Sequence, residues 1–321
     1  MASVTLAESA KLSQDDLVSG LIESIVTVDK FFQMLPFDGI EGNAIAYNRE
    51  LTIGTVAAVA VGEDIGPDVA AGGNQAERLL GKDAATFTQV NVGLTTVMGD
   101  AEVNQLLQQT RSNINDQTGV QIASKAKAAG RRYQDMLING VAGATNEFSG
   151  LLALVPAGQK VTTAANGENI SFDILDQLLD LPLDKDGQVD YLMMPKRTLR
   201  AYYALLRALG GATIDSVVTL PDGTQVPAYR NVPIFVNDNI PVNQAQGASG
   251  NVCTTVFAGT FDDGSRSMGI AGLTATKQSG LHVVDIGHHH TRDERIYRIK
   301  WYCGLALFSE LGIASASGIL N

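Results

Sequence analysis

The chain has 321 residues, 45% of them hydrophobic, and a net charge of −11. That is enough apolar material for one large or two modest packed domains, and the acidic balance argues against a protein whose main task is gripping nucleic acid, although a local basic patch is compatible with it. Two cysteines, Cys253 and Cys303, are too few for a disulfide framework and lack the short spacings of a zinc site.

Residues 1–45 read as an arm. Met1–Ala10 lacks a basic segment followed by an apolar one, so no export signal is expected. Ser13 suits a helix N-cap, with Asp15 and Asp16 in the first turn. Leu17, Leu21 and Ile25 then follow at helical spacing. The apolar run from Phe31 to Phe37 is expected to be non-helical, with its aromatics seeking a partner surface on this chain or another.

Ala44 to Val61 and Ala85 to Met98 read as the two strands of a long hairpin, joined by the glycine-rich segment Gly62 to Ala84. The longest nearly uncharged apolar stretch, Leu51 to Val61, falls short of the roughly 20 residues of a membrane-spanning helix, so a soluble chain is expected. An isolated two-stranded ribbon is marginal in water, so this hairpin must lie on something else.

Asp100 to Asn139 carries a loose apolar stripe from Val103 to Leu137 and no proline. With Asp100 as N-cap and Asn139-Gly140 as the stop, the expectation is one helix of about 40 residues, roughly 60 Å long, with a bend or break near Gly119. From Phe148 to Gly269 the pattern is α/β. Ser171 caps a helix, Asp190 to Met194 is a strand, and Pro195 opens the next helix. Val217 to Leu220 and Gln225 to Tyr229 form a hairpin around Pro221-Asp222-Gly223, and Val232 to Val236 and Val252 to Ala258 are further strands. Finally Tyr297, Ile299, Trp301, Cys303, Leu305 and Leu307 alternate with their neighbours at period two, giving a strand with one apolar face for the long helix to cover.

Few constellations suggest chemistry. In His288-His289-His290, His288 and His290 have strand spacing for a shared ligand, and His282 stands close enough in sequence to join them. A polar loop of solvated imidazoles outweighs a pH-sensitive contact, and a structural metal comes last. Asp184-Lys185-Asp186-Gly187 is a turn, because a calcium loop in that register would need ligands from Pro182 and Met193. No phosphate-binding loop, dinucleotide fingerprint or nucleophile elbow is present, which counts against an enzyme and implies no cofactor. Lys125, Lys127, Arg131 and Arg132 form one basic cluster on the long helix, read either as a solvated face or as a contact for an acidic partner such as DNA or a scaffold.

The order of these elements resembles the major capsid proteins of tailed bacteriophages, a fold shared with encapsulins. Local strings agree: Leu35-Pro36-Phe37 through Ala46-Tyr47-Asn48-Arg49-Glu50, Asn139-Gly140 before Phe148-Ser149-Gly150-Leu151, Met194-Pro195-Lys196-Arg197, and Asn231-Val232-Pro233-Ile234-Phe235-Val236 through Pro241. The resemblance implies an α+β fold: N-terminal arm 1–45, extended β-hairpin E-loop 46–99, long spine helix and first part of the P-domain 100–149, A-domain 150–269, and P-domain return with P-loop and C-terminal strands 270–321. It implies inter-subunit contacts through the E-loop tip (Gly66, Pro67, Arg78, Lys82) and the arm (Leu17, Leu21, Phe31, Phe32). His288, His289, His290 and Arg292 would lie in the P-loop at three-fold contacts, and Lys125, Lys127, Arg131 and Arg132 on an interior basic face. The implied role is non-catalytic: self-assembly of pentamers and hexamers into an icosahedral head around double-stranded DNA. The implied partners are a separate scaffolding protein, a portal and a decoration or cement protein, with no membrane; assembly would occur in the host cytoplasm and the product would be the virion capsid. The alternatives are an encapsulin-like shell subunit and, in a different class, a soluble oligomeric enzyme.

Overall fold

A computed structural model describes residues 30–54, 56, 61, 84–111, 116–143, 146–184, 187–208, 217–248 and 250–320. The expected Ser13 helix, with Leu17 and Leu21, and the hairpin tip, with Gly66, Pro67, Arg78 and Lys82, lie outside these residues. In chain order the structure gives α1 (Lys30–Met34), β1 (Phe37–Ile40), β2 (Ala44–Thr52), β3 (Thr86–Gly93), β4 (Thr95–Asn104), α2 (Gln105–Arg111) and α3 (Gln117–Asn139). There follow α4 (Leu151–Leu154), β5 (Lys160–Val161), β6 (Glu168–Asn169), α5 (Phe172–Leu183), β7 (Tyr191–Met194) and α6 (Lys196–Ala208). Then come β8 (Val217–Thr219), β9 (Gln225–Tyr229), β10 (Val232–Val236), β11 (Gln244–Gln246), β12 (Asn251–Gly259) and β13 (Ile270–Ala275). β14 (His282–His288), β15 (Glu294–Leu307) and β16 (Ile313–Leu320) complete the chain.

The chain divides into two compact units. Of the described residues, the first unit takes Thr96–Tyr133 and Gly280–Trp301, and the second takes the rest. β15 serves both: up to Lys300 it pairs antiparallel with β14, and from Cys303 onward it pairs antiparallel with β13.

The second unit is built on a sheet in the order β5-β16-β12-β7-β10-β9-β8, with β11 and β6 added at β12 and β16. All four residues of β7 are buried, so its two faces need separate cover. Leu192 and Met194 face a cluster made by Ile174, Leu175, Leu178 and Leu179 of α5 and Tyr202 of α6. Ser171 caps α5 through its hydroxyl, which accepts from the Ile174 amide at 3.3 Å. Pro195 stands one position before α6 and supplies the carbonyl for the Leu199 amide, so it precedes the helix instead of occupying its first turn.

Phe31 departs from the expectation of an arm aromatic awaiting another subunit. It lies in α1, a short helix where a non-helical run is expected, and is fully buried. Its ring meets Tyr191 at 4.9 Å, Phe261 at 5.4 Å and Phe235 at 5.8 Å. The apolar run therefore closes the chain's own core. Phe32 is half-buried, with its ring 5.6 Å from Phe37.

The single helix expected from Asp100 to Asn139 is also corrected. β4 runs to Asn104 with Ala101 and Val103 buried, so the stretch keeps the alternation of a strand. Asp100 is no cap: both of its carboxylate oxygens take 2.8 Å hydrogen bonds from Arg298 of the paired strand β15. α2 has 7 residues, and α3 starts anew at Gln117, preceded by Asp116, whose carboxylate accepts from the Thr118 amide at 3.1 Å. The break thus falls just before Gly119. α3 has 23 residues, roughly 34 Å of helix. It does cover the alternating strand: Ile122 and Ala129 pack with Ala101, Tyr297 and Ile299, and the rings of Tyr133 and Trp301 lie 4.7 Å apart.

At the exit of α3 the backbone crosses itself. A Cβ on Gly140 would lie 2.4 Å from the Phe148 carbonyl oxygen, and one on Gly150 would lie 2.5 Å from that of Met136, so only glycine fits either position. Cys253 and Cys303 are buried and unbridged, and burial pushes the Cys303 thiol up to about 12. Among the described residues no helix is long and apolar enough to cross a membrane.

Phe31→Ala should cost about 3–5 kcal/mol in chemical denaturation, and Phe32→Ala about 1 kcal/mol, because only the first empties a closed aromatic site.

Candidate assembly surfaces

β2 and β3 form a two-stranded sheet of their own, with Tyr47 opposite Val90 and Arg49 opposite Thr88. Among the described residues only its base is held. Ile45, Tyr47, Val92 and Leu94 pack on Ile40, Ala271, Leu273, Ala306 and Phe308. The Tyr47 hydroxyl donates to the Leu307 carbonyl at 2.6 Å, and the Tyr47 and Phe308 rings meet edge to face at 5.2 Å. Burial pushes the Tyr47 phenol upward against the opposing pull of Arg49.

Arg49 closes this anchor. Its Nε donates to the Phe308 carbonyl at 2.9 Å, Nη2 donates to the Leu307 carbonyl, and Nη1 lies 3.3 Å from Glu310. The guanidinium is 5.6 Å from the centroid of the Tyr47 ring. With 16% of its side chain exposed, Arg49 makes charge-assisted bonds to the carbonyls of Leu307 and Phe308. Past Arg49 the support stops. Leu51 is 55% exposed, Ile53 82% and Phe87 67%. A cleft of about 740 Å³ opens there, lined by Arg49, Leu51, Ile53, Arg266, Phe308 and Leu311 among others.

A second surface lies on the β14–β15 hairpin. Val283, Val284 and Ile286 of β14 are all more than a third exposed. β15 pairs with both β14 and β4, and β14 is the terminal strand of that order. Such an apolar edge is a template for pairing. Asp285 is ion-paired with Arg295, whose guanidinium holds that carboxyl below the usual range.

The histidine triplet sits at the tip. His288 ends β14, while His289 and His290 lie beyond it in the turn, so strand spacing does not bring His288 and His290 together. His288 and His290 are exposed and His289 is half-buried. The His289 amide donates to the Glu294 carbonyl at 2.7 Å, and Arg292 lies 3.7 Å from Glu294. Among the described residues no three His, Cys, Asp or Glu side chains are placed to hold a metal ion.

The basic residues of α3 are divided. At about 100° per residue, Lys125 and Arg132 share one flank, while Lys127 and Arg131 share another. Lys125 lies beside Gly99 and adds to the pull of Arg298 that lowers the Asp100 carboxyl. Lys125, Arg131 and Arg132 are exposed and Lys127 is half-buried.

No protein-family model matches the sequence, and no curated protein matches it significantly. Solved structures do match. A chain of the holo-SrpI encapsulin complex from Synechococcus elongatus is similar over 99% of this chain and 96% of its own, with a TM-score of 0.70 at 18% identity. The capsid chain of cyanophage A-1(L) matches over 99% of this chain and 100% of its own, with a TM-score of 0.69 at 13% identity. The capsid of a native GTA particle matches over 99% of both chains, with a TM-score of 0.64 at 14% identity. The chain thus has the α+β fold shared by these phage and GTA capsid chains and an encapsulin.

Replacing Arg49 by alanine should cost about 2–3 kcal/mol in urea denaturation, since it removes charge-assisted bonds to two carbonyls and leaves that of Phe308 without its side-chain donor, while Tyr47 still serves that of Leu307. Arg49→Lys should recover only part of that, because one ammonium cannot reproduce the fork.

Proposed function

We propose that this chain is the major capsid protein of a tailed phage, a non-catalytic subunit that assembles into an icosahedral head around double-stranded DNA. The observation that carries this reading is a ribbon that, among the described residues, is anchored only at its base, in a chain whose fold matches shell-forming proteins along nearly its full length. A second copy is the natural cover for apolar side chains such as Ile53 and Phe87. Interfaces of standard size, about 1,600 Å² each, are modest singly and strong collectively when each subunit makes several.

The reading divides the chain into arm 1–45, E-loop 46–99, spine 100–149, A-domain 150–269 and P-domain return 270–321. It assigns inter-subunit contact to Gly66, Pro67, Arg78 and Lys82 at the E-loop tip, to Leu17, Leu21 and Phe32 in the arm, and to His288, His289, His290 and Arg292 in the P-loop. Phe31 is withdrawn from this set because the chain's own core takes it up. Lys125, Lys127, Arg131 and Arg132 supply weak interior contact with DNA. Pentamers and hexamers, a separate scaffold, a portal, a decoration protein, assembly in the host cytoplasm and a final place in the virion all belong to the same proposal.

An encapsulin-like shell is the second reading, favoured by the TM-score of 0.70 to the encapsulin chain. Purified particles discriminate the two: packaged DNA supports the head, and protein cargo without DNA supports the compartment. Deleting Gly66 to Lys82 should leave far-UV circular dichroism unchanged and prevent closed shells in negative-stain micrographs. Normal shells from that deletion would contradict the proposal.

A further inference from the structure

The turn at the tip of the β14–β15 hairpin is closed by an imidazole acting as an acceptor. The Thr291 amide donates to Nδ1 of His289 at 3.1 Å. A backbone N–H can only donate here, so the closed turn requires a lone pair on Nδ1 and therefore the neutral imidazole carrying its proton on Nε2. The side chain of one residue caps the amide two positions on, as asparagine and aspartate do in Asx turns, but with an acceptor that titrates. The turn is tied at its other end by the His289 amide on the Glu294 carbonyl at 2.7 Å and by the Gln105 amide on the Asp293 carbonyl at 3.0 Å.

We propose that residues 289–291 form an acid-released latch at the tip of this hairpin, held by the Nδ1 lone pair of His289. Protonation turns the acceptor into a second donor and sets two N–H groups against each other. The latch is closed while the imidazole is neutral and is lost when acid protonates Nδ1. The Thr291 hydroxyl, 3.3 Å from the same nitrogen, can accept from a protonated Nδ1. The two side chains then stay in touch while the backbone amide is released, so that amide is the group to watch.

The surrounding charges are these. On the hairpin, Asp285 and Arg295 are paired with each other and Arg292 stands 3.7 Å from Glu294; His288, His290 and Asp293 lie at the same tip, and His282, Arg298 and Lys300 lie farther along the two strands. From β4 come Asp100, engaged by Arg298, and Glu102. His288 and His290 carry the same titratable group as His289, so the variants must separate the three. Only His289 has a backbone amide directed at its ring among the described hydrogen bonds.

The test is peptide-resolved hydrogen exchange on the full chain, comparing protection over 288–294 at pH 7.5 and 5.5. His289→Asn supplies a side-chain oxygen that caps the same turn and does not titrate. Relative to His289→Asn at each pH, the wild-type segment should lose protection about fivefold on acidification, the equivalent of one typical net hydrogen bond. His288→Asn and His290→Asn should behave as wild type, and His289→Ala should be poorly protected at both values. The latch is overturned if wild type and His289→Asn keep a constant ratio across the two pH values, or if His288→Asn or His290→Asn abolishes the change.

Discussion

A two-stranded ribbon has two open edges and two faces, and water competes for every hydrogen bond along them. β2 and β3 stay paired as far as Thr52 and Thr86, but among the described residues their side chains pack on the core only near the base. The grip is Arg49, which takes two carbonyls at the end of β15, with Tyr47 beside it on one of them. This places the transition from supported to unsupported ribbon at one residue. On one side Ile45 and Tyr47 are packed; on the other Leu51, Ile53 and Phe87 are exposed. A monomer gains nothing from such a projection, whereas a subunit surrounded by its own copies gains a surface for each neighbour.

Other parts of the molecule serve the same end. The carbonyls of Leu307 and Phe308 are available to Arg49 because β15 finishes there against β13, with Leu305 and Leu307 buried. β15 begins in the other unit, where it carries β14 and its exposed apolar edge. One strand of 14 residues thus holds the ribbon's anchor at one end and an edge suited to pairing at the other.

Much of this is legible in the sequence, and the exceptions have physical causes. The period of two from Tyr297 to Leu307 is readable because one face is apolar and the other is not, and the cover by α3 follows from it. The pairing of β2 with β3 and the Ser171 cap are readable for similarly local reasons, but Thr95 to Met98 of the expected second hairpin strand belongs to β4, which pairs with β15. Asp100 misleads because an aspartate before an apolar stretch is an ordinary helix cap, and its actual partner, Arg298, is 198 residues away. Phe31 misleads because a short apolar run without periodicity does not say whether its own chain or a partner buries it. The role of Arg49 has no local signal at all, since its partners are backbone carbonyls 258 and 259 residues along the chain. His289 is one of three equivalent imidazoles in the sequence, and only the turn singles out a nitrogen.

The central claim is that assembly supplies the burial the ribbon lacks. Hydrogen exchange of the same chain as assembled particles and as dissociated subunits tests it most directly. Amides of residues 44–48, inside the anchor, should be protected in both states. Amides of 50–52 and 86–88, beyond it, should be protected in particles and exchange freely in subunits. Equal protection of the outer ribbon in both states would contradict the account, because the chain alone would then suffice to hold it.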